Sequence, residues 1–509
     1  MKPIRTALVS VFNKDGIEPI VRRLNELGVE LLSTGGSRSF IEGLGLPCKA
    51  VEDLTGFPSI LGGRVKTLHP NVFGGILARR DHEGDQAQLE QYQIAPIDLV
   101  IVDLYPFEAT VASGASAQDI IEKIDIGGIS LIRAAAKNFA DVVIVPSSKQ
   151  YAYLMQMLEN GAESSEEQRR YLATEAFAVS SAYDSHIFNW FAQTGEQPQG
   201  SQAALRVAVD GAKDLRYGEN PHQEARFYGD FNAIFDQIHG KEISYNNLLD
   251  IDAACALIDE FDSTTVAILK HNNACGLASR PSVKEAWTDA LAGDPVSAFG
   301  GIIITNAAVD ADATEEMGKI FFEVVIAPDF TPEALEILKQ KKNRIILKRK
   351  EVLAPSKKMR TILGGMLVQD ADAKVETPED LKLVAGDELT PELTADLLFA
   401  NKIVKHSKSN AIVLARNQML IASGVGQTSR VDALRHAIEK AHSFEFDTKG
   451  CVMASDAFFP FADCVEIAHK AGVDAVIQPG GSIRDNDSVE FCREHNMTMV
   501  MTGFRHFRH

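Results

Sequence analysis

The run Thr264-Thr265-Val266-Ala267-Ile268-Leu269 is rich in β-branched and aliphatic residues and stops abruptly at Lys270-His271-Asn272-Asn273-Ala274-Cys275-Gly276. A short apolar run of this kind predicts a buried strand. Ending in a cation, an imidazole, two carboxamides and a glycine, it delivers polar groups to the carboxyl edge of a sheet, where open α/β sheets place their ligands. Lys270 and His271 side by side could stabilise an oxyanion and move a proton. The plainer reading has Lys270 solvated and His271 capping a core.

The pattern recurs from the start of the chain. Thr6 to Phe12 reads as a strand, Asn13-Lys14-Asp15-Gly16 as a turn, and Ile17 to Leu27 as a helix that Gly28 closes before a second strand, Val29 to Leu32. That strand breaks into Ser33-Thr34-Gly35-Gly36-Ser37, so one β-α-β unit carries two polar, glycine-bearing loops on one sheet edge. Either loop could cradle a phosphate through backbone N–H groups and hydroxyls, or be a simple turn. Further strands are expected at Leu99 to Leu104, ending in Tyr105-Pro106-Phe107, and at Val142 to Val145. Between them Asp125-Ile126-Gly127-Gly128 introduces a helix, Ile129 to Lys137, with an acidic N-cap. Arg64-Val65-Lys66-Thr67-Leu68-His69-Pro70 adds three potential cations in a polar loop, and helices from Lys149 to Phe191 complete this unit. Ala192 to Gln202 has no large apolar residue and reads as a linker.

The second part opens on Leu215-Arg216-Tyr217-Gly218-Glu219-Asn220-Pro221-His222-Gln223 and continues through Ser244-Tyr245-Asn246-Asn247-Leu248-Leu249-Asp250 into a helix from about Ile251 to Phe261. Asp294 to Gly301 leads into a strand, Ile302 to Thr305. A basic run, Lys339 to Lys350, and an acidic stretch, Gln369 to Leu389, both read as solvated surface. After them the pattern returns as a strand, Asn410 to Leu414, a glycine turn, Gly424 to Arg430, and Ala454 to Phe461. Ser297-Ala298-Phe299-Gly300 and Asp456-Ala457-Phe458-Phe459 hint at a duplicated module. Gly424-Val425-Gly426 lacks the third glycine and later acid of a dinucleotide fingerprint.

At 509 residues the chain is too long for one core. No apolar run reaches the length of a membrane span and the first residues do not read as a signal peptide, so a cytoplasmic location is expected. Six scattered cysteines without a C-x-x-C pair argue against structural zinc, a zinc deaminase site and a disulfide framework. A net charge of -19 opposes nonspecific nucleic-acid binding.

Seven ordered motifs together resemble one family from end to end: Ser33-Thr34-Gly35-Gly36, Arg64 to Pro70, Asp125 to Gly128, Arg216 to Gln223, Lys270 to Gly276, Ser455 to Phe461 and the tail Phe504-Arg505-His506-Phe507. The family is that of the bifunctional purine-biosynthesis enzymes that join phosphoribosylaminoimidazolecarboxamide formyltransferase to inosine monophosphate (IMP) cyclohydrolase. The resemblance implies an α/β fold in three parts. Residues 1–195 form a methylglyoxal-synthase-like parallel-sheet domain that closes the purine ring, 196–206 a linker, and 207–509 a transformylase region of two cytidine-deaminase-like modules, about 207–368 and 369–509. Further implications are 10-formyltetrahydrofolate as cosubstrate, no catalytic metal, a structural monovalent cation near Asp456, and a homodimer handling aminoimidazole carboxamide ribotide (AICAR), its formylated product (FAICAR), IMP and folates, with no nucleic-acid or membrane partner.

The site residues follow by motif. His271 would take the amine proton in formyl transfer, with Lys270 stabilising the oxyanion or protonating the leaving folate nitrogen. Arg216, Tyr217 and Arg505 match ligands of the nucleotide, Arg being suited to bidentate phosphate contact. Asn247, Asn272, Phe299, Gly300, Asn410, Phe458 and Asp463 resemble pocket residues, although Phe299 and Phe458 read equally as core. For ring closure Lys66, Tyr105, Asp125 and Lys137 match the catalytic set. Ser10, Lys14, Thr34, Gly35, Gly36, Arg64, Thr67, Gly127 and Gly128 would hold the nucleotide. Phe12-Asn13 departs mildly from the family pattern. A regulatory nucleotide-binding protein with a sensor domain is the competing reading, and a transformylase with a decayed cyclohydrolase domain a second. Neither accounts for all of Lys66, Tyr105, Asp125 and Lys137.

Overall fold

The structure, a computed structural model, describes residues 1–61, 64–195, 204–351 and 357–509. It divides into two compact units, Met1–Val209 and Asp210–His509. Most of the expected linker, 196–203, lies outside the described residues. Ala192 to Thr194, read as the start of that linker, instead finishes a long helix, Glu166–Thr194, opened by a capping box in which Ser165 and Gln168 satisfy each other's backbone N–H groups.

The first unit is built on a five-stranded parallel sheet of β1 (Thr6–Ser10), β2 (Glu30–Ser33), β3 (Lys49–Ala50), β4 (Leu99–Val102) and β5 (Val143–Val145), in the order β3-β2-β1-β4-β5. All four residues of β4 are buried, as a parallel strand covered on both faces requires. The helix α1 (Ile17–Glu26) buries Ile17, Ile20, Val21 and Leu24, the inward stripe of a 3.6-residue period, and burying each is worth about 1.5–3 kcal/mol. Two more helices matter for function. The Ser33–Ser37 loop is mostly helix, since α2 spans Gly35–Gly43, and α3 spans Gly127–Lys137. α2 begins just beyond the carboxyl end of β2, and its N-terminus and that of α3 stand at the sheet edge beside the Asn13–Gly16 turn, which stays a loop.

The second unit contains β6 (Phe235–His239), β7 (Thr265–Lys270), β8 (Asn273–Ser279), β9 (Ile302–Thr305), β10 (Val324–Ala327), β11 (Ile345–Arg349), β12 (Lys382–Ala385), β13 (Ile412–Arg416), β14 (Met419–Gly424), β15 (Val452–Ser455), β16 (Ala475–Gln478) and β17 (Thr498–Met501). They form one sheet in the order β6-β11-β10-β9-β7-β8-β14-β13-β15-β16-β17-β12. Read from either edge to the middle, the connectivity and the parallel or antiparallel sense of each pairing are the same. The halves meet where β8 pairs with β14. The unit is therefore a duplicated module. The two peptides that hinted at this are not counterparts: Ser297-Ala298-Phe299-Gly300 precedes β9, whereas Asp456-Ala457-Phe458-Phe459 follows β15, which holds the place of β9 in the other half.

Three local expectations are corrected. The polar residues after the opening strand are not all loop: β7 pairs antiparallel with β8 and with β9, and Asn273-Ala274-Cys275-Gly276 is itself strand. The basic run is not all surface, because Ile345, Ile346 and Leu347 are fully buried in β11 and Arg344 is buried beside it. The acidic stretch supplies edge strand β12 and the buried Glu376. No helix among the described residues is long and apolar enough to cross a membrane.

Candidate active sites

At the carboxyl edge of the first sheet lies a cavity of about 860 Å³. Ser10 ends β1; Thr34 and Gly36 come from the start of α2, Asp125, Gly127 and Gly128 from the start of α3, and Lys14, Arg64, Lys66, Thr67, Asp103 and Tyr105 from the loops between. The first N–H groups of a helix have no partner within it and carry the positive end of the dipole. Thr34 does not cap α2 with its side chain; its hydroxyl donates to Glu52 at 2.7 Å. Two such termini and three basic side chains around one cavity make a site for an anionic, oxygen-rich ligand.

Close packing explains the glycines. A Cβ on Gly35, whose φ is +52°, would lie 3.2 Å from Lys66 Nζ, one on Gly127 3.3 Å from Thr67 Oγ1, and one on Gly128 2.7 Å from Asp125 Oδ2. Asp125 Oδ1 accepts from Gly128 N at 2.6 Å, so the acidic cap stands one residue before the N-cap position, which Ile126 occupies. The backbone N–H of Asp125 donates to Tyr183 Oη at 2.7 Å, and that hydroxyl donates to Lys123 O at 2.6 Å. Burial raises the Asp125 carboxyl above the ordinary range against the backbone bonds from Gly128, Tyr105 and Ile129, with Asp103 adding like-charge repulsion. Burial also raises Asp103, and it lowers Lys14 although Asp103 stands near it. Two carboxyls biased toward their protonated forms beside a poised lysine suit proton transfer.

The edge-to-face pair Phe12–Tyr105, 5.3 Å between centroids, forms part of the wall, so the departure at Phe12 gives Tyr105 an aromatic neighbour. Lys137 stands apart. It is exposed and closes α3, about 15 Å along the axis from the end that lines the cavity. Within one chain, therefore, the expected catalytic set is not gathered whole. Sequence reasoning missed Asp103, whose signal was a charged residue just past a buried strand.

The second unit brings together Lys270, His271, Asn272, Asn247, Phe299 and Gly300. His271 and Asn272 are the two residues of the β7–β8 turn, both with positive φ, 51° and 64°, as the favoured two-residue hairpin turn requires. Lys270 Nζ donates to Phe299 O at 2.9 Å. Asn272 N donates to Asp250 Oδ1 at 2.7 Å, and Asn272 Oδ1 is buried without a partner. Asn247, at the start of its helix, donates from Nδ2 to Glu323 Oε2 at 3.2 Å. Phe299 is 60% exposed and meets Phe321 at a tilt, 5.4 Å between ring centroids, which excludes core packing for it. Phe458 is half-buried, beside the fully buried Phe459. Asn410 approaches from the second module: Lys408 N donates to Asn273 Oδ1 at 2.9 Å, and Asn410 Oδ1 accepts from Arg430 Nη2 at 2.8 Å. Asp463 opens a further helix. Arg216 and Tyr217 lie in the connecting loop of a separate small hairpin, Ala212–Leu215 with Ala225–Tyr228, and bond to each other at 2.8 Å, while the exposed Arg505 stacks on Phe507. Among the described residues no hydrogen bond, ion pair or ring contact of these three reaches the Lys270 cluster, although their hairpin loop touches the helix of Asn247, Asn246 Nδ2 donating to Glu219 O at 3.1 Å.

The sequence pattern of the AICARFT/IMPCHase bienzyme family matches residues 135–440, and that of the MGS-like domain matches residues 16–130. The chain is 68% identical over 509 residues to the bifunctional purine biosynthesis protein PurH of Bacteroides thetaiotaomicron, covering 100% of this chain and 99% of that one. It is 49% identical to PurH of Rhodospirillum rubrum over 525 residues, with 100% and 99% covered. With PurH of Persephonella marina it shares 45% over 515 residues, with 99% and 100% covered.

Proposed function

The chain belongs to the AICARFT/IMPCHase bienzyme family and catalyses the last two steps of purine biosynthesis, formyl transfer to AICAR and ring closure of FAICAR to IMP; we propose that each step has its own unit and its own residues. The regulatory reading falls away, because the similarity to bifunctional enzymes runs the length of the chain. The observation that supports the division most directly is the cavity of the first unit, lined by two helix N-termini, Lys66, Tyr105 and Asp125.

Ring closure belongs there. The nucleotide phosphate is held by the N–H groups of α2, with Ser10, Lys14, Thr34, Gly36 and Arg64. The carboxamide nitrogen attacks the formyl carbon; Lys66 stabilises the oxyanion, and Tyr105 and Asp125 move the protons that let the oxygen leave as water. Lys137 has no part in this within one chain.

Formyl transfer belongs to the second unit, which we read as two cytidine-deaminase-like modules. The AICAR amine attacks the formyl carbon of 10-formyltetrahydrofolate. His271 takes the amine proton, Lys270 steadies the oxyanion, and the folate nitrogen leaves protonated as tetrahydrofolate. Asn247, Asn272, Phe299, Gly300, Asn410, Phe458 and Asp463 form the pocket, with Arg216, Tyr217 and Arg505 as anion ligands. Their scatter within one chain fits a homodimer in which one copy completes the other's site. The cytoplasm suits this metabolite chemistry.

A structural monovalent cation near Asp456 has an incomplete donor set. Oδ1 of that buried carboxylate already meets Arg430 and Ala411 N, while Oδ2 accepts only the Ser409 hydroxyl and is the oxygen a cation would share. No step depends on it.

The test follows ultraviolet absorbance with AICAR and 10-formyltetrahydrofolate. Wild type is expected to yield IMP, Lys66→Ala to accumulate FAICAR, and His271→Ala to make neither. Unimpaired ring closure by Lys66→Ala, or unchanged transfer by His271→Ala, would sink the corresponding assignment.

A further inference from the structure

The two halves of the twelve-stranded sheet agree in finer detail than strand order. In β7–β8 the register slips by one residue after Ile268, and in β13–β14 it slips by one after Leu414. Each hairpin then closes with a two-residue turn, His271-Asn272 in one and Asn417-Gln418 in the other, and all four residues have positive φ, between 51° and 64°. None is glycine, the residue that adopts this conformation without strain, so something outside each turn must hold it.

In both halves the holder is an aspartate at the sixth position of the preceding helix. Asp250, in Tyr245–Ile258, accepts from Asn272 N at 2.7 Å. Asp396, in Pro391–Lys405, accepts from Asn417 N at 2.7 Å and from Gln418 N at 2.6 Å. A helix-borne carboxylate receiving the N–H groups of a strained hairpin tip is thus a repeated part of the module. What differs is the cargo. The first tip offers Lys270 and His271; the second offers Arg416 and Asn417, and there Arg416 is spent on the carbonyls of Asp447 and Lys449, while Arg280 holds the carbonyl of Asn417.

We infer that Asp250 is a positioning residue for formyl transfer: by clamping the turn at Asn272 it fixes the backbone that aims the His271 imidazole, whereas its counterpart Asp396 holds a tip with no chemistry to perform. The inference rests on the assignment of His271 as proton acceptor. Asp250 does not meet the substrate. It acts through the turn, so its loss should lower turnover more than nucleotide binding, since a catalytic group displaced by about 1 Å costs on the order of 10²-fold in rate.

Asp250→Ala, Asp250→Asn, Asp396→Ala and His271→Ala are made in the full-length chain and assayed for formyl transfer, for ring closure with FAICAR supplied, and for thermal unfolding. Asp250→Ala is expected to lower the formyl-transfer kcat by about 10²-fold with KM for AICAR changed less than about threefold. Asp250→Asn, which keeps an acceptor oxygen, should recover part of that loss, and ring closure should be unaffected in both. Asp396→Ala should lower the unfolding temperature by as much as Asp250→Ala while keeping kcat near wild type. A kcat within about threefold of wild type in Asp250→Ala overturns the inference, as does an equal loss of kcat in Asp396→Ala, which would make both residues general supports of the fold. If His271→Ala keeps its activity, the assignment beneath the inference fails first, and that outcome is separate from the other two.

Discussion

Asp125 shows how much can depend on one residue's surroundings. Its carboxylate caps α3 through Gly128 N, its own N–H is held by Tyr183, and burial raises its proton affinity. Gly128 is the residue that permits this, because any side chain there would put a Cβ 2.7 Å from Asp125 Oδ2, closer than real contacts allow. Gly128→Ala must therefore push the carboxylate aside while leaving the backbone of α3 in an ordinary helical conformation. The expected outcome is a loss of ring closure of about 10²-fold, with formyl transfer unchanged and the unfolding temperature little altered. Coupled assays with AICAR and with FAICAR separate the two; a variant that cyclises FAICAR normally would show that the position of Asp125 does not limit the step.

At the scale of elements, the carboxyl-terminal tail is fixed by a buried histidine. His506 is 3% exposed, with Nδ1 at 2.6 Å from Asp372 and Nε2 at 2.7 Å from Glu376. Burial opposes its charge, but the two carboxylates outweigh burial and raise its pKa to about 9, while Asp372 is lowered below its usual value against its own burial. A histidine whose pKa is higher folded than unfolded stabilises the fold fully below its unfolded pKa, about 6.5, and loses that contribution as pH rises through the folded value. Wild type should thus lose unfolding temperature between pH 6.5 and about 9. His506→Gln should start lower at pH 6.5 and fall less, and parallel curves for the two would refute a protonated His506. None of this was legible in the sequence, where the tail read only as one of the seven family motifs and Glu376 as part of a solvated acidic stretch. The elements that were legible, β4, β5, β9 and α1, are the ones whose local period and final contacts agree. The β7–β8 hairpin was not, because its turn carries His271-Asn272 where a sequence reader expects Asn-Gly, and the strain is relieved by Asp250, more than twenty residues away. For the same reason the candidate site was read motif by motif, without the bonds of Asp103 to Asn13 N and of Asp250 to Asn272 N that lie beside it.

At the scale of the whole molecule, the buried core of the first unit is drawn entirely from residues before 210, and that of the second entirely from residues after it. The first unit's cavity is also lined only by its own residues. A domain with its own core and its own ligand cavity is expected to fold and act alone. Residues 1–209 expressed by themselves should therefore unfold in a single transition and convert FAICAR to IMP with kcat/KM within about threefold of the full chain, but should not formylate AICAR. Joining the two activities then serves chemistry and not folding: formyl transfer is reversible in principle, and ring closure with loss of water draws it toward IMP. The full chain with Lys66→Ala should accordingly stall at an equilibrium mixture of AICAR and FAICAR, and adding residues 1–209 in trans should release it to IMP. Failure of the fragment to cyclise while folded would mean that the cavity needs a group from elsewhere, with Lys137 of a second copy the first to test by substitution.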